Sequence, residues 1–272
     1  MINGSKMDLS IIILNYKSRE LVRQCLAKIR ELNLALAYEI IVVDNASSDG
    51  CLEMVEKNFP GVIAIQTGEN QGYAAGNNLG IRAASGGYIL ILNPDIVVLP
   101  DSIEKMLRFM EEHPECGLCG PQLLNPDGTV QSSCRRFPSL LIPLCRRTAL
   151  GKFPFARRKI QSYLMGDWDH KTTRTVDWML GACLLARRSA MEQAGPLDER
   201  FFLYFEDVDW CRRFWQSGHK VYYLSDAKMI HYHRQLSADK KGLKSLASKT
   251  VRIHLASALK YFWKYRFKNA II

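Results

Sequence analysis

The segment Tyr88-Ile89-Leu90-Ile91-Leu92-Asn93-Pro94-Asp95 decides the fold of this chain. Its uncharged, largely aliphatic run follows two glycines and is typical of a strand buried on both faces of a parallel sheet. Pro94 has no N–H to donate to a neighbouring strand, so strand pairing is expected to end there. Asp95 is therefore predicted at the carboxyl edge of a central strand, where open α/β sheets bind their ligands. A plain Asn-Pro-Asp turn is the structural alternative.

Strands and helices alternate on both sides of this segment. The predicted strands are Leu9–Leu14, Glu39–Val43, Val62–Gln66, Tyr88–Leu92, Gly117–Leu124, Val221–Leu224 and Lys228–Ile230. The predicted helices are Arg19–Leu36, Leu52–Asn58, Asp101–Glu112, Arg187–Gln193 and Glu206–Gly218, together with one that the run Glu69–Gly80 enters and that ends at about Ser85. Short connections in the first half favour right-handed crossovers, so the predicted fold class is α/β with a mostly parallel central sheet.

Two later segments have a different character. Residues 131–172 carry many arginines among Phe, Leu, Pro and Trp without clear periodicity, which predicts a long, basic and partly mobile segment. The tail from Lys244 to Phe267 alternates basic with large apolar residues at helical spacing. The charge is also uneven, because residues 1–134 have a net charge of −6 and residues 135–272 of +16. This asymmetry indicates that the second half faces an anionic partner.

Composition excludes several classes of protein. A hydrophobic content of 47% and a charged content of 24% are ordinary for a soluble globular chain. The polar N-terminus does not resemble a signal peptide, and no segment approaches the roughly 18 apolar residues that span a bilayer. We therefore expect a cytoplasmic protein. The eight cysteines are scattered, so reduced thiols are expected, and Cys116-Gly-Leu-Cys119 has no second pair to complete a zinc site.

Polar side chains follow three of the predicted strands. Asn15, Asp44, Asn45 and Asp95 stand where strands end, and parallel strands present these ends at one rim. Asp44 is suited to hydrogen-bond a nucleoside base or ribose; a helix N-cap or an Asx turn with Ser47 is the equally weighted alternative. A ligand lying across the rim would meet all of these side chains.

Gly72, Gly76 and Gly80 recur at four-residue intervals, which is not the GxGxxG pattern of a dinucleotide-binding loop. The glycines allow the backbone to approach a ligand closely, with Asn77 or Asn78 as hydrogen-bond donors. Packing of a helix through small residues is the alternative reading. The pattern alone does not decide between them.

The segment Glu206-Asp207-Val208-Asp209 follows five large apolar residues. Acids favour the first turn of a helix, and Asp209 with Arg213 forms an i,i+4 ion pair, so structural roles account for much of this cluster. Asp207 beside apolar surface is expected to have a raised pKa and to be usable as a general base. His231 and His233 point to opposite faces of a strand end, so only one is expected to reach the site; a histidine without a metal role is the commoner case.

Taken together, these motifs resemble family 2 glycosyltransferases of the GT-A fold, with the bacterial rhamnosyltransferase-like branch as the best fit. The donor-binding half is carried by Val43–Asp49, Asn70–Gly80 and Leu92–Asp95, and the acceptor half by Asp177–Cys183, Phe201–Arg213 and the late histidine. The resemblance covers roughly residues 8 to 240. It implies one GT-A domain over 1–240, with a donor half at about 8–130 and an acceptor half at about 131–240. Residues 241–272 would form a basic amphipathic C-terminal helix.

The resemblance also implies residue roles. Donor-binding residues would be Asn15, Asp44, Asn45, Gly72, Asn77, Asn93 and Asp95, and acceptor-side residues would be Asp177, Trp178, Gly181, Glu206 and Arg213. Asp207 would be the catalytic base of an inverting displacement, and Asp95 with His231 would bind Mg²⁺ or Mn²⁺. The chain departs from the family pattern at Asn93, where the family has the first acid of its DxD motif, and after His231, where His-Tyr-His replaces one histidine followed by glycines.

The function implied is transfer of a sugar, rhamnose in this branch, from a dTDP- or UDP-sugar to a glycan or polyprenyl-diphosphate-linked saccharide in cell-surface polysaccharide synthesis. Nucleic acid is not an expected partner. The basic segment and tail are candidates for peripheral contact with an anionic inner membrane leaflet, while a solvated basic surface with a packed terminal helix is the alternative.

Two other functions are weighed against this one. A sugar-phosphate nucleotidyltransferase would need a glycine-rich basic loop after the first strand, whereas Asn15-Tyr16-Lys17-Ser18 has no glycine. A non-catalytic membrane- or nucleic-acid-binding module fits the charge but gives no reason for Asp44, Asp95 and Asp207 at strand and helix ends, since carboxylates repel phosphate unless a cation intervenes.

Overall fold

The computed structural model describes residues 7–142, 145, 149–232 and 249–266 of the 272-residue chain. The strands are β1 (Leu9–Asn15), β2 (Tyr38–Asp44), β3 (Ile63–Gln66), β4 (Tyr88–Leu92), β5 (Ile96–Val98), β6 (Cys116–Leu124), β7 (Cys134–Arg135), β8 (Arg174–Thr175), β9 (Trp178–Met179), β10 (Cys183–Arg187) and β11 (Lys220–His231). The helices are α1 (Arg19–Leu32), α2 (Cys51–Asn58), α3 (Gly72–Ala83), α4 (Ser102–Glu112), α5 (Pro154–Tyr163), α6 (Arg188–Ala194), α7 (Glu206–Gln216) and α8 (Lys249–Tyr265), with a 3-10 turn at Ala149–Lys152.

Nine of these strands form one mixed sheet in the order β3-β2-β1-β4-β10-β6-β11-β5, with β8 paired beside β11. β1 pairs in parallel with β2 and β4, and β2 with β3, which is the predicted crossover half. β10 runs antiparallel between β4 and β6, and β11 runs parallel to β6. Helices cover the sheet, so the predicted α/β architecture with a mainly parallel centre is confirmed.

The two faces of the sheet each carry a hydrophobic core, and β1 contributes to both. Ile11 and Ile13 pack in the core under α1, α2 and α4. Ile12 packs in the other core, together with α3, α7 and α8. A strand covered on both faces loses its exposed side, which explains the unbroken apolar runs in the sequence.

The segment that decides the fold forms β4, in the middle of the sheet between β1 and β10. Pairing ends before Pro94 as predicted: the Asn93 N–H donates to the Ala182 carbonyl at 2.8 Å, and the chain then restarts at Ile96 as β5. Asp95 therefore lies in the short connection between β4 and β5. Since β5 pairs antiparallel with the end of β11, this connection faces the end of β11.

Three predicted elements need correction. Residues 131–172 were predicted as one irregular segment, but they contain β7 and the helix α5, which begins at Pro154 where the missing N–H is tolerated. The two late strands are one strand, β11, with an irregularity between Leu224 and Lys228. Helix α1 ends at Leu32 and not at Leu36, because Asn33 adopts a left-handed φ of 48° that stops the helix.

The C-terminal helix α8 packs against α7 through buried Tyr261 and Tyr265. Its apolar face therefore belongs largely to the protein core, as in the packed-helix alternative. Residues 244–248 and Phe267 of the predicted helix lie outside the described residues. Within the described residues, no helix has the length and apolar character needed to cross a membrane.

Candidate active site

A cleft of about 1320 Å³ opens at the carboxyl ends of β1, β2 and β4. Its described lining residues include Tyr16, Asn45, Asp49, Asn93 and Asp95 from the connections after these strands, and Asn70, Gly72, Tyr73, Gln131, Phe202 and His231 from other parts of the chain. The cleft is where the strand-end argument predicts a ligand site. The donor-side candidates Asn45, Gly72, Asn93 and Asp95 all reach it.

Asn15 and Asp44 lie beneath this lining and organise the loop above them. Asn15 Nδ2 donates to Asp44 Oδ1 at 2.7 Å, and the Ser47 N–H donates to Asp44 Oδ2 at 3.2 Å. Both residues are buried, and the second bond is the predicted Asx turn. Asn15 Nδ2 also contacts Asp49 Oδ1 at 3.2 Å, and Asp49 lines the cleft. This loop therefore presents Asp49 to the cleft in addition to Asn45, and the sequence argument did not assign Asp49 to the site.

The glycine-rich helix α3 is shaped by packing. A Cβ on Gly76 would lie 2.5 Å from the Leu14 side chain, and one on Gly80 would lie 2.4 Å from Ile12, so these two glycines let α3 approach β1. Gly72 has a φ of +87° and its added Cβ would lie 2.3 Å from the Phe202 carbonyl oxygen. The small-residue packing alternative explains Gly76 and Gly80, whereas Gly72 is required by its positive φ and by the nearby Phe202 backbone.

Gly72 also belongs to the cleft, because its carbonyl accepts a hydrogen bond from Asn45 Nδ2 at 3.0 Å and the residue lines the opening. Asn77 does not line it. Asn77 is buried and its Nδ2 donates to the Tyr73 carbonyl at 3.0 Å, while its Oδ1 has no hydrogen-bond partner among the described residues. The structure thus brings Gly72 to the ligand side of α3 and leaves Asn77 inside.

Asp95 and His231 meet at the other end of the cleft. Pairing of Ile96 with His231 across β5 and β11 brings them together, and His231 Nε2 lies 3.6 Å from Asp95 Oδ2. The other ring nitrogen, Nδ1, lies 2.7 Å from Gln131 Oε1. A carboxamide oxygen only accepts, so Nδ1 carries the proton and the Nε2 lone pair points towards Asp95 when the ring is neutral.

This pair fits a divalent cation. Asp95 Oδ1 is buried and makes no hydrogen bond to any described residue, so it retains a carboxylate oxygen for a ligand. Carboxylate oxygen and imidazole nitrogen are both ligands of Mn²⁺-like ions. The described residues contain no group of three or more His, Cys, Asp or Glu side chains suited to a metal, so a bound ligand would have to complete the coordination. His233 lies outside the described residues.

The acidic pair at the start of α7 adjoins the cleft through Tyr73. The Tyr73 hydroxyl donates to the Gly181 carbonyl at 2.5 Å, and the Gly181 N–H donates to Asp207 Oδ2 at 3.1 Å. The Val208 N–H holds the other oxygen, Oδ1, at 2.8 Å. Burial, followed by the charges of Glu206, Asp207 and Asp95, raises the pKa of Tyr73 well above its ordinary value.

Asp207 has the electrostatics expected of a general base. Loss of solvent raises its pKa above the ordinary value of 3.8, while the hydrogen bonds from Val208 and Gly181 and the charge of Arg135 act in the opposite direction. Burial, and then the charge of Asp207, raises the pKa of Glu206 well above 4.5. The hydrogen bonds from Gly181 and Val208 favour the charged form of Asp207, and Glu206 Oε2 has no such partner among the described residues.

The acceptor-side candidates Asp177 and Trp178 hold the segment that follows β7. Asp177 Oδ2 accepts a hydrogen bond from the Phe137 N–H at 2.7 Å, and Trp178 Nε1 donates to the Arg136 carbonyl at 2.8 Å. Burial raises the pKa of Asp177. The guanidinium of Arg135 lies over the Trp178 ring at 5.4 Å. Neither Asp177 nor Trp178 lines the cleft, so these residues can affect it only by positioning this segment.

Arg213 belongs to a buried ion cluster away from the cleft lining. Its Nε donates to Asp209 Oδ2 at 2.8 Å, the predicted i,i+4 pair, and its Nη1 donates to the Gly195 carbonyl at 3.0 Å. Lys264 from α8 donates to Asp209 Oδ1 at 2.5 Å and to Asp198 Oδ2 at 2.7 Å. The structure therefore assigns Arg213 to the joint between α6, α7 and α8.

Sequence reasoning missed Tyr73, Gln131 and Phe202. Each acts through a residue more than fifty positions away: Tyr73 through Gly181, Gln131 through His231, and Phe202 through Gly72. The run Phe201–Phe205 was assigned to apolar surface and to the acceptor half, without a role for Phe202. No local pattern identifies such residues, since their chemistry depends on contacts between distant parts of the chain.

The fold is that of a glycosyltransferase. The structure superposes with a TM-score of 0.63 on the crystal structure of GalNAc-T7 with UDP, GalNAc and Mn²⁺, at 13% sequence identity over 97% of this chain and 50% of that chain. At this identity the likeness concerns the fold.

The family follows from sequence. The model of glycosyl transferase family 2 matches residues 10–171, and this chain belongs to that family. It is 33% identical over 249 residues to the N-acetylglucosaminyl-diphospho-decaprenol L-rhamnosyltransferase of Mycobacterium tuberculosis, covering 85% of this chain and 80% of that protein. It is 26% identical to the rhamnosyltransferase WbbL of Escherichia coli K12, covering 84% and 83% of the two chains. The nucleotidyltransferase and non-catalytic alternatives are thereby set aside, and the predicted glycosyltransferase class is confirmed.

Proposed function

We propose that this glycosyltransferase moves rhamnose from a nucleotide-diphosphate donor to a saccharide carried on a polyprenyl diphosphate, with inversion at the anomeric carbon. The observation that carries the proposal is the 33% identity, over 85% of the chain, to a rhamnosyltransferase whose name specifies an N-acetylglucosaminyl-diphospho-decaprenol acceptor. The cleft at the strand ends and the carboxylate next to it support the same chemistry.

The donor nucleotide, dTDP or UDP, would occupy the part of the cleft above β1 and β2. Asn45 and Asp49 line this part, and the Asn15–Asp44 pair beneath them fixes the shape of the loop. Gly72 supplies backbone close to the opening. Asn93, whose amide N–H is already bonded to Ala182, presents its side chain to the sugar or the diphosphate.

Asp95 and His231 would hold Mg²⁺ or Mn²⁺ against the donor diphosphate. Bound there, the cation would neutralise negative charge that builds on the leaving diphosphate. Two protein ligands leave most of the coordination sphere to the diphosphate and water. Asn93 in place of an acid removes one negative charge from this end of the cleft, so affinity for the cation is expected to depend on the donor.

Asp207 performs the proton transfer. Its carboxylate takes the proton of an acceptor hydroxyl while that oxygen attacks the anomeric carbon of the donor sugar. The bond from the anomeric carbon to the diphosphate oxygen breaks in the same step, and the nucleoside diphosphate leaves on the opposite face. One displacement inverts the anomeric configuration. The hydrogen bonds from Gly181 and Val208 fix both carboxylate oxygens in place for this step.

The acceptor would approach from the side of Asp177, Trp178 and Gly181. An acceptor on a polyprenyl diphosphate is embedded in a membrane, so the enzyme would work in the cytoplasm at the inner face of the plasma membrane. The basic second half of the chain, with a net charge of +16, supports contact with an anionic leaflet.

The test is a transfer assay with purified enzyme. We expect product from dTDP-rhamnose or UDP-rhamnose, a short-chain prenyl-diphospho-N-acetylglucosamine and Mn²⁺, detected by mass spectrometry. Parallel reactions with UDP-glucose and GDP-mannose measure donor selectivity. Transfer of another sugar in place of rhamnose, or transfer with retained anomeric configuration by NMR, would contradict the proposal.

A further inference from the structure

The segment between Arg136 and Tyr163 begins and ends at the same place in the structure. The Arg136 N–H donates to the Tyr163 carbonyl at 3.0 Å, so the two ends of the segment 137–162 lie side by side. We call this segment the excursion; the structure describes its residues 137–142, 145 and 149–162. Its root is fixed by Asp177 and Trp178, the acceptor-side pair.

The excursion has an inner and an outer side. Ile142, Cys145 and Ala156 are buried, and Ile142 and Ala156 each lie next to exposed large apolar neighbours. The outer apolar residues are Leu140, Leu141, Leu150, Phe153 and Phe155, with Leu140 68% and Phe155 62% exposed. They are five of the thirteen large apolar side chains that are exposed in the described part of the chain. Such concentration in one segment marks an interaction surface.

The aromatic members of this surface are arranged together. The rings of Phe153 and Phe155 stack with their centroids 6.2 Å apart at the start of α5. Both rings stand in water although α5 has a buried side, where Ala156 and Tyr163 pack. The buried residues Ile142, Cys145 and Ala156 fix which side of the segment faces the solvent, so the exposure of the two rings follows from how the segment is folded.

The charged residues of the excursion and of its flanks are all basic. Residues 128–166 contain eight Lys and Arg and neither Asp nor Glu. Lys152, Arg157, Arg158 and Lys159 are exposed beside the apolar residues. Exposed leucine and phenylalanine flanked by cations match a lipid interface, where apolar side chains enter the acyl boundary and cations meet anionic headgroups. A nucleic acid would satisfy the cations and leave the leucines in water.

We propose that the outer side of the excursion, through Phe153, Phe155, Leu140 and Leu141 with their basic neighbours, docks the enzyme on an anionic lipid bilayer. The proposal rests on the proposed function in one respect, since a lipid-linked acceptor gives the docking its purpose. Arg135 at the root lies over both Tyr163, at 6.0 Å, and Trp178. The docked segment thus ends beside the acceptor-side residue Trp178 and beside Arg135, whose charge acts on Asp207.

The C-terminal helix α8 offers the matched control. It is also basic and exposes two large apolar side chains, Leu259 and Trp263, each 71% exposed. Its Tyr261, Lys264 and Tyr265 are engaged with α7 and are not available to lipid. If the tail and not the excursion contacted the bilayer, substitution of Leu259 and Trp263 would weaken binding to vesicles.

The experiment is vesicle co-sedimentation of the full chain without donor or acceptor. Vesicles of phosphatidylcholine alone are compared with vesicles containing phosphatidylglycerol, at low and high salt. We expect binding to the anionic vesicles, weakened by salt, and at least a tenfold loss of affinity in F153D/F155D. L259D/W263D, with the same change in charge and number of apolar groups, is expected to bind as the wild type does. Thermal melting confirms that both variants are folded, and F153S/F155S repeats the test without added charge.

Several results would overturn the proposal: no binding to anionic vesicles, equal binding to neutral ones, or loss in L259D/W263D with F153D/F155D unaffected. A separate readout keeps the proposed function distinct. F153D/F155D should transfer sugar to a water-soluble short-chain acceptor as the wild type does and lose transfer to acceptor embedded in vesicles. Absence of rhamnosyl transfer in the wild type would refute the proposed function and leave the vesicle result standing.

Discussion

His231 Nε2 lies 3.6 Å from Asp95 Oδ2 across the ends of β11 and β5. The other ring nitrogen of His231, Nδ1, lies 2.7 Å from Gln131 Oε1, and this contact fixes the orientation of the imidazole. A carboxylate with an unbonded buried oxygen, among the described residues, thus faces an oriented imidazole. Two ligands from the protein bind a divalent ion weakly unless a diphosphate adds its own oxygens.

Mn²⁺ binding is therefore expected to be weak in the free enzyme and to strengthen at least about tenfold when dTDP or UDP is present, as measured by electron paramagnetic resonance. Asp95→Ala should remove most of that gain. Asp101→Asn, an exposed carboxylate in the loop before α4, serves as control and should keep it. Tight Mn²⁺ binding without nucleotide would contradict the two-ligand site.

Asp207→Asn should lower kcat by about 10²- to 10⁴-fold, because the amide cannot accept the acceptor proton. Donor affinity, measured by calorimetry, should change by less than about twofold since the side chain shape is kept. In the wild type, kcat should fall as pH drops through the raised pKa of Asp207, and this acidic limb should disappear in the variant. Asp167→Asn, an exposed acid in the same half, should leave kcat unchanged; equal losses in both variants would refute the base assignment.

Glu206 makes stability depend on pH. Burial raises its pKa well above 4.5, so the folded protein holds a proton that the unfolded chain has already released above that pH. The free energy of unfolding should therefore fall as pH rises from about 4.5 towards neutrality. Glu206→Gln should flatten this fall in urea titrations at several pH values, and exposed Glu112→Gln should not. Parallel pH curves for wild type and Glu206→Gln would show that the carboxyl does not keep its proton.

Lys264→Met should weaken the joint between α8 and α7. Asp209 is fully buried and would lose one of its cationic partners, retaining Arg213 and the Tyr265 hydroxyl. Removing one partner of a buried ion pair costs about 3 kcal/mol, and the remaining partners should hold the loss in the free energy of unfolding near about 2 kcal/mol. Lys260→Met, one helical turn earlier and exposed, should cost less than about 0.5 kcal/mol in the same denaturant titration. Similar costs for the two lysines would mean that the cluster does not stabilise the fold.

Gly72→Ala should destabilise the protein by about 2 to 3 kcal/mol, since it combines a positive φ with a Cβ placed 2.3 Å from the Phe202 carbonyl. The variant should also weaken donor binding, because the Phe202 loop lines the cleft. Gly68→Ala, where an added Cβ meets nothing within 4 Å, is the control for both measurements. A Gly72→Ala protein as stable as wild type would show that the two backbones separate easily.

Local patterns predicted the parallel half of the sheet. Each of β1, β2 and β4 is covered on both faces, so its sequence is a short apolar run that ends in polar residues. The same local rule identified Asn45, Asp95 and their neighbours as one rim, because parallel strands end on the same side. The irregular segment at 131–172 was the least well predicted, since α5 buries only Ala156 and Tyr163 and most of its residues are polar or exposed.

Arg213 shows which contacts of a motif residue the sequence predicts and which it does not. The sequence identified its i,i+4 partner Asp209, and that pair exists. The same carboxylate also binds Lys264 from the tail helix, and this contact draws Arg213 into a structural joint. No spacing in the sequence predicts a contact between α7 and α8, because it depends on how two separate helices pack.

The sequence by itself determined that β4 ends at Asn93-Pro94 and leaves Asp95 on the ligand edge of the sheet, because proline ends strand pairing and short apolar runs form buried strands. The family resemblance named His231 as a partner for Asp95, but only the tertiary structure decided how the two side chains meet. Antiparallel pairing of β5 with β11 brings in His231, and Gln131 then orients its ring. The residues of a strand indicate whether it is buried, whereas the strand with which it pairs depends on the packing of the whole chain.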